Sequence, residues 1–245
     1  MSRSVVMATW DDAPHLSDDE KKELWNSIPP YQRDARSKGI PQLGSGAIYP
    51  VPEEDIAVSD FPIPAWWKRS YGLDVGWNMT AAIWSAWDQD ADIVYLYSEY
   101  YTGQAEPAVH AQGIKSRGEW IRGVIDPASS GRSQKDGEQL VHQYRVLGLN
   151  LTFAINAVEA GLFEVYNRMV SGRIKIFRSL RHWFEEYRMY RRDENGKIVK
   201  QADHLMDATR YDIMSGLQVA SFMPLELTGK QVRKNDDYDP LHDYR

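Results

Sequence analysis

Tyr71, Leu73 and Val75 alternate with Gly72, Asp74 and Gly76, the period-two pattern of a pleated strand. That alternation sends Asp74 away from the apolar side, toward whatever covers the other face of the sheet. Two more strands are predicted over 81–87 and 93–101, and the turn Asp88-Gln89-Asp90-Ala91 makes them an antiparallel hairpin. Beyond residue 101 the pattern changes to alternating helix and strand. Helices are predicted over 105–117, 137–147, 157–170 and 180–187, with strands over 120–126, 151–155 and 173–177. Gly148 and Gly172 stand where helix ends need a left-handed residue. Residues 188–192 and 197–201 flank Asp193-Glu194-Asn195-Gly196, a hairpin signal, and 203–220 reads as one long amphipathic helix. Three antiparallel strands, then strand–helix alternation, then a closing helix predict an α/β fold with a mixed sheet flanked by helices.

The two ends read differently. Residues 1–67 are expected to be a linker or attachment segment. Ser17-Asp18-Asp19-Glu20 is a capping box opening a short helix. Pro50, Pro52, Pro62 and Pro64 keep 49–65 extended. Residues 68–222 form the main domain, and 223–245 a polar, flexible tail.

Composition narrows the chemistry. The chain of 245 residues has no cysteine, so a disulfide scaffold and thiolate metal sites are both excluded. Any metal is held by oxygen or imidazole, which favours hard ions such as Mg2+ or Mn2+. No apolar run is long enough to cross a membrane, and an intracellular, soluble protein is expected. A net charge of −6 argues against a protein devoted to tight non-specific DNA binding, but not against an acid-clustered nuclease.

Three acidic segments fall where such a sheet brings strand ends together. Asp74 lies on the first strand, and Asp126 ends the fourth, beside it if the crossover is right-handed. The closing helix carries Asp203, His204 and Asp207, of which Asp203 and Asp207 are four apart and share a face. Converging carboxylates repel and call for cations between them. Two divalent ions in one acid cluster catalyse in-line phosphoryl displacement: one activates water, the other steadies the leaving oxygen. Each residue also has a plainer reading. Asp203 can serve as a helix N-cap, His204 as a structural histidine, and Asp126-Pro127 as a turn.

With those residues in hand, the chain resembles the nuclease domain of tailed-phage large terminases, in the RNase H-like superfamily. The similarity runs through Gly72-Leu73-Asp74-Val75-Gly76, Val124-Ile125-Asp126-Pro127 and Asp203-His204-Leu205-Met206-Asp207-Ala208-Thr209-Arg210-Tyr211. The resemblance implies an endonuclease that cuts concatemeric double-stranded viral DNA during genome packaging, with little sequence specificity. Asp74, Asp126 and Asp207 become the catalytic, metal-binding triad, with His204 and Asp203 as auxiliary ligands and two Mg2+ or Mn2+ ions. The partners implied are DNA, a terminase ATPase domain, the portal and the small terminase subunit, in the host cytoplasm. No Gly-x-x-x-x-Gly-Lys-Ser/Thr loop occurs, so the resemblance is to the cutting part of such a motor and not to its ATPase.

The expected DNA contacts are basic: Arg132 and Lys135 after the second acid, and Arg188, Arg191, Arg192, Lys197 and Lys200 on the predicted hairpin. The same charges also serve to keep a hairpin edge soluble. Two other functional classes remain open on sequence alone. One is another RNase H-like nuclease, such as a junction resolvase or a hybrid nuclease. The other is a non-catalytic domain that docks on a portal or an ATPase.

Overall fold

The fold is described from a computed structural model over residues 9–13, 15–27, 37, 46–126, 134–193 and 195–227. It divides into two compact units. The larger comprises 51–187 and 202–245, the smaller 1–50 and 188–201.

The larger unit is built on a seven-stranded mixed sheet. Its strands are β1 (Ala57–Val58), β2 (Lys68–Asp74), β3 (Thr80–Asp88), β4 (Ile93–Thr102), β5 (Arg122–Ile125), β6 (Leu151–Phe153) and β7 (Ile174–Phe177). They lie in the order β1-β7-β4-β3-β2-β5-β6. The β2–β3 and β3–β4 pairs are antiparallel, and every other neighbouring pair is parallel. The helices of this unit are α2 (Glu53–Ile56), α3 (Pro107–Lys115), α4 (Gln134–Val146), α5 (Val158–Val170) and α6 (Arg181–Met189), which ends at the unit boundary. They are completed by α7 (His204–Tyr211) and α8 (Leu217–Val219). Among the described residues no helix is long and apolar enough to cross a membrane.

One face of β2 packs Tyr71 and Leu73 with Trp84, Ile114, Ile121 and Tyr144, the core toward α3 and α4. The other face carries Ser70, Gly72 and Asp74 and is covered by the closing helix. Here His204 meets Asp74, Ala208 meets Gly72, and Asp212 meets Ser70. Steps of four along the helix match steps of two along the strand, because about 6 Å of helix rise equals two strand residues. Gly72 permits the approach: a Cβ there would lie 1.9 Å from the Ala208 carbonyl oxygen. Helix and strand thus hold a fixed register, and that register positions the site.

Three elements differ from the sequence expectations. Ala57–Val58 pairs parallel with β7, so residues inside the expected linker supply an edge of the sheet. Ile56 just before it is fully buried, and Pro52 stands as the N-cap of α2, where its missing N–H costs nothing. The closing helix is not uniform: Asp212–Gly216 forms a π-helical turn between α7 and α8. In the smaller unit, the expected hairpin is reduced to a bridge between Arg192 and Ile198, because α6 absorbs residues 188 and 189. Its turn is organised by Asp193, whose Oδ1 accepts the Asn195 and Lys197 amides. The capping box forms as expected: Glu20 accepts the Ser17 amide at 2.9 Å, and the Glu20 amide donates to Ser17 Oγ at 3.3 Å, opening α1 (Asp18–Ser27). The tail beyond residue 227 lies outside the described residues.

Candidate functional site

Asp74 is the last residue of β2, and Leu73 pairs with Ile125 of the parallel β5. Asp126 therefore follows on the neighbouring strand, level with Asp74. The third acid arrives on α7, whose register on β2 brings Asp207 into the same field. The proximity shows in Asp74 itself. Burial pushes its carboxyl pKa up, and the charges of Asp207 and Asp126 push it further, against the opposing effect of His204. The three expected acids are thus electrostatic neighbours.

Two cationic groups answer this concentration of charge. His204 Nδ1 lies 2.8 Å from Asp74 Oδ2, and that hydrogen bond raises the imidazole pKa above its ordinary value. Arg210 is 1 % exposed and donates from Nη2 to Asp207 Oδ1 at 3.1 Å and from Nη1 to Asn156 Oδ1 at 3.1 Å. Asn156 in turn donates from Nδ2 to Asp126 Oδ1 at 3.1 Å. A continuous chain therefore runs Asp207–Arg210–Asn156–Asp126 and ties the helix acid to the strand acid. Gly161 of α5 makes room for it, since a Cβ there would lie 2.5 Å from Arg210 Cγ. Tyr211 adds a hydrogen bond to Asp126, and burial raises its hydroxyl pKa.

Asp203 occupies the N-cap position of α7 without making a side-chain cap. Its buried side chain stands beside the site, and the plain capping reading of this residue fails. The cap comes from elsewhere: Glu186 of α6 accepts the amides of Leu205 at 2.6 Å and Met206 at 3.3 Å. Glu99 of β4 does the same for α6, accepting the His182 and Trp183 amides at 3.1 and 3.0 Å. Two helix N-termini on this face are therefore held by carboxylates from other elements, which satisfies orphan donors and aligns negative charge with the helix dipole. Local sequence signals do not reveal caps of this kind. Arg210 and Asn156 also escaped the sequence reading. Arg210 stood in the recognised motif as a residue type without an assigned partner, and Asn156 lies 54 positions from the arginine it bonds.

A fourth acid lies beneath the site. Asp212, fully buried, accepts a hydrogen bond from Ser70 Oγ at 2.7 Å. Burial lifts its pKa to about 6, against the lowering effect of the Ser85 and Ser70 hydroxyls. The carboxyl is accommodated because Gly216 has no side chain. A folded-state pKa of about 6 against an ordinary 3.8 contributes stability that is fully present below the ordinary value and is lost as pH rises through the folded one. The difference is about 3 kcal/mol. Asp212→Asn is expected to raise the melting temperature at pH 7 and to flatten its fall between pH 4 and 6. Thermal unfolding across that range checks it, and an unchanged pH profile would remove Asp212 as the cause.

The basic candidates are distributed differently. Arg188, Arg191, Arg192, Lys197 and Lys200 belong to the smaller unit. Arg192 Nη1 bonds the Gly196 carbonyl at 2.9 Å and so helps to close its own turn, whereas Arg191, Lys197 and Lys200 are exposed. Arg132 and the side chain of Lys135 lie outside the described residues. Trp84 and Trp183 are fully buried core residues.

Among the described residues no three histidine or acidic side chains stand together in ligating geometry. The donor set nonetheless suits a hard divalent ion: three neighbouring carboxylates, with His204 against Asp74 and Arg210 against Asp207.

Comparison with known proteins follows the same lines. The profile of the terminase RNaseH-like domain matches residues 71–215. The chain is 40% identical over 229 residues to the terminase large subunit of Enterobacteria phage LP7, covering 89% of this chain and 47% of that one. It is 40% identical over 225 residues to the terminase large subunit of Salmonella phage P22, covering 87% and 44%. It thus spans about half the length of these curated relatives. Among solved structures, the P22 large terminase nuclease domain superposes with a TM-score of 0.69 at 35% identity, covering 74% of this chain and 97% of that one. The large terminase nuclease of thermophilic phage G20c, solved with bound magnesium, shares the fold at a TM-score of 0.53 and 15% identity, covering 70% of this chain and 98% of that one.

Proposed function

Because this chain belongs to the terminase RNaseH-like domain family, we propose that it is a divalent-metal-dependent endonuclease that cuts concatemeric double-stranded viral DNA during packaging. The observation that carries this reading is the convergence of Asp74, Asp126 and Asp207. It is built by the β2–β5 register, the seating of α7 on β2 and the Arg210–Asn156 link.

In this reading Asp74, Asp126 and Asp207 hold Mg2+ or Mn2+, two ions per site, with His204 and Asp203 as auxiliary groups. Bound ions supply an activated water and positive charge at the leaving oxygen. The protein's own part is preorganisation. His204 holds Asp74 Oδ2 in place from Nδ1. Arg210 fixes the Asp207 carboxylate, and Asn156 and Tyr211 fix that of Asp126. DNA is the substrate, and a terminase ATPase domain, the portal and the small terminase subunit are the partners, in the host cytoplasm.

The direct test is nicking and linearisation of supercoiled plasmid with Mn2+, Mg2+ or chelator, beside Asp74→Ala and Asp126→Ala. Metal-dependent cutting lost in both variants is the expected result. Cutting that persists in either variant would overturn the assignment of the acids.

For the DNA path we propose the exposed bases of the smaller unit together with Arg132 and Lys135. Changing Arg191, Lys197 and Lys200 to glutamine is expected to weaken binding in chelator and to reduce the slope of log affinity against log salt by about 0.9 per lost phosphate contact. Fluorescence anisotropy at several salt concentrations measures it, and an unchanged slope takes these residues off the DNA path.

A further inference from the structure

β2 ends at Asp74, and the chain turns into β3 through Val75-Gly76-Trp77-Asn78-Met79. Trp77 in this turn is 66 % exposed, an unfavourable state for so large an apolar ring. Among the described residues no ring or cation packs on its indole. The backbone that carries it is nevertheless held at several points. Val75 packs against the core. Thr80 Oγ1 donates to the Gly76 carbonyl at 3.1 Å, and the Gln104 amide donates to the Trp77 carbonyl at 2.8 Å. Gly103 lets the next carbonyl in: a Cβ there would lie 2.1 Å from the Asn78 oxygen. A bare ring on a fixed backbone is preorganised for contact with something outside the chain.

The place of the ring says what that is. Trp77 follows Asp74 by three residues, at most about 11 Å of chain. β2 and β5 are parallel, and β4 runs in the same direction because both it and β2 are antiparallel to β3. The turn, Asp74, Asp126 and the Gly103-Gln104 support therefore share one edge of the sheet. Residues 75–80 contain no charged side chain, whereas the acids beside them repel a phosphate backbone and the whole chain carries a net charge of −6. An aromatic ring binds nucleic acid without meeting that repulsion, since every base has a π-face.

We propose that Trp77 is a DNA-contacting residue whose indole packs on an unstacked base beside the phosphate to be cut. The inference rests on the nuclease reading and adds an uncharged contact to it. Apolar side chains that wedge between base steps unstack the duplex locally, and packing of this kind reads no base edge, in keeping with cutting of little sequence preference.

The test compares wild type with Trp77→Ala, Trp77→Phe and Trp66→Ala. Trp66 is 72 % exposed but stands before β2, at the opposite end of the strand from Asp74, and so controls for loss of an exposed indole. Fluorescence anisotropy in chelator, at several salt concentrations, measures binding to a paired duplex and to the same duplex with a two-base mismatch, where unstacking costs less. Wild type is expected to prefer the mismatched duplex. Trp77→Ala should bind it about tenfold more weakly and lose the preference, with the slope of log affinity against log salt unchanged. Trp77→Phe should retain most of the affinity, and Trp66→Ala should bind as wild type does. Undiminished binding by Trp77→Ala, a preference that survives in it, a reduced salt slope or an equal loss in Trp66→Ala would each overturn the proposal. Plasmid nicking by the wild type with Mn2+ keeps the two readings apart. If wild type cuts and Trp77→Ala binds normally, only the contact falls; if wild type neither binds nor cuts, both fall.

Discussion

Arg210→Met is expected to destabilise the protein by about 3–5 kcal/mol, the usual consequence of removing one partner from a buried ion pair. Methionine keeps the aliphatic stem that passes Gly161, so packing is largely retained and the lost charge is what the variant reports. Asp207, 8 % exposed, then has no guanidinium, and its charge stands in the same field as Asp74 and Asp126. The Asn156–Asp126 bond also loses its anchor. Urea unfolding in chelator measures the loss, and Mn2+ should restore part of it by replacing the missing positive charge. Equal unfolding midpoints for wild type and variant would mean that Arg210 is not the counter-charge of the site. Asn156→Ala, which spares the Arg210–Asp207 pair, is expected to cost less stability while still impairing cleavage.

Asp74→Asn is expected to separate activity from stability. Cleavage should fall by more than about 10²-fold, a loss that removal of even an outer partner of a metal ligand can reach. In chelator the fold should be unharmed or stabilised. Burial and two neighbouring acids raise the Asp74 pKa, so the ionised carboxylate is disfavoured in the folded state. Its adverse effect sets in as pH rises above the ordinary carboxylate range. Asparagine removes that charge and still offers an oxygen to His204 Nδ1. The gain should therefore appear near neutral pH and vanish in acid. With Mn2+ the order should reverse, because only wild type gains binding free energy. Thermal unfolding at pH 4 and pH 7, with Mn2+ and with chelator, reads all of this. A melting temperature lowered in chelator at pH 7 would contradict the account.

The sheet was legible because its strands carry their own periodicity. The alternation through Tyr71, Leu73 and Val75 places β2 within a residue, and Ile125-Asp126 marks the end of β5. The strand acids were legible for the same reason, since Asp74 closes β2 and Asp126 follows β5, whereas Asp207 lies within α7 and was legible from its spacing in the closing helix. Long-range pairings were not. Ala57–Val58 is too short to show a period and becomes a strand only because β7 offers an open edge. The π turn over Asp212–Gly216 carries a carboxyl seated against Ser70, 142 positions away, a pairing that helical periodicity alone does not encode. The shortened hairpin has a local cause. The helical preference of α6 carries it through Met189, and Asp193 then closes a wider turn than an Asn-Gly pair alone would. Hydrophobic period, in short, finds elements, whereas the charges that position this site are matched across the chain by residues of ordinary type.

The carboxylate of Glu186 has a consequence beyond capping. It grips the first amides of α7 from within α6, so the chain that leaves α6 and the chain that enters α7 are pinned to a single point. Everything between them is a detour whose two ends are already joined. Such a detour is an interchangeable part: it can lengthen, shorten or be replaced without disturbing the register of α7 on β2. The alignment of the acids does not depend on what the excursion carries, so a change there is expected to act on DNA binding and not on the geometry of the acids.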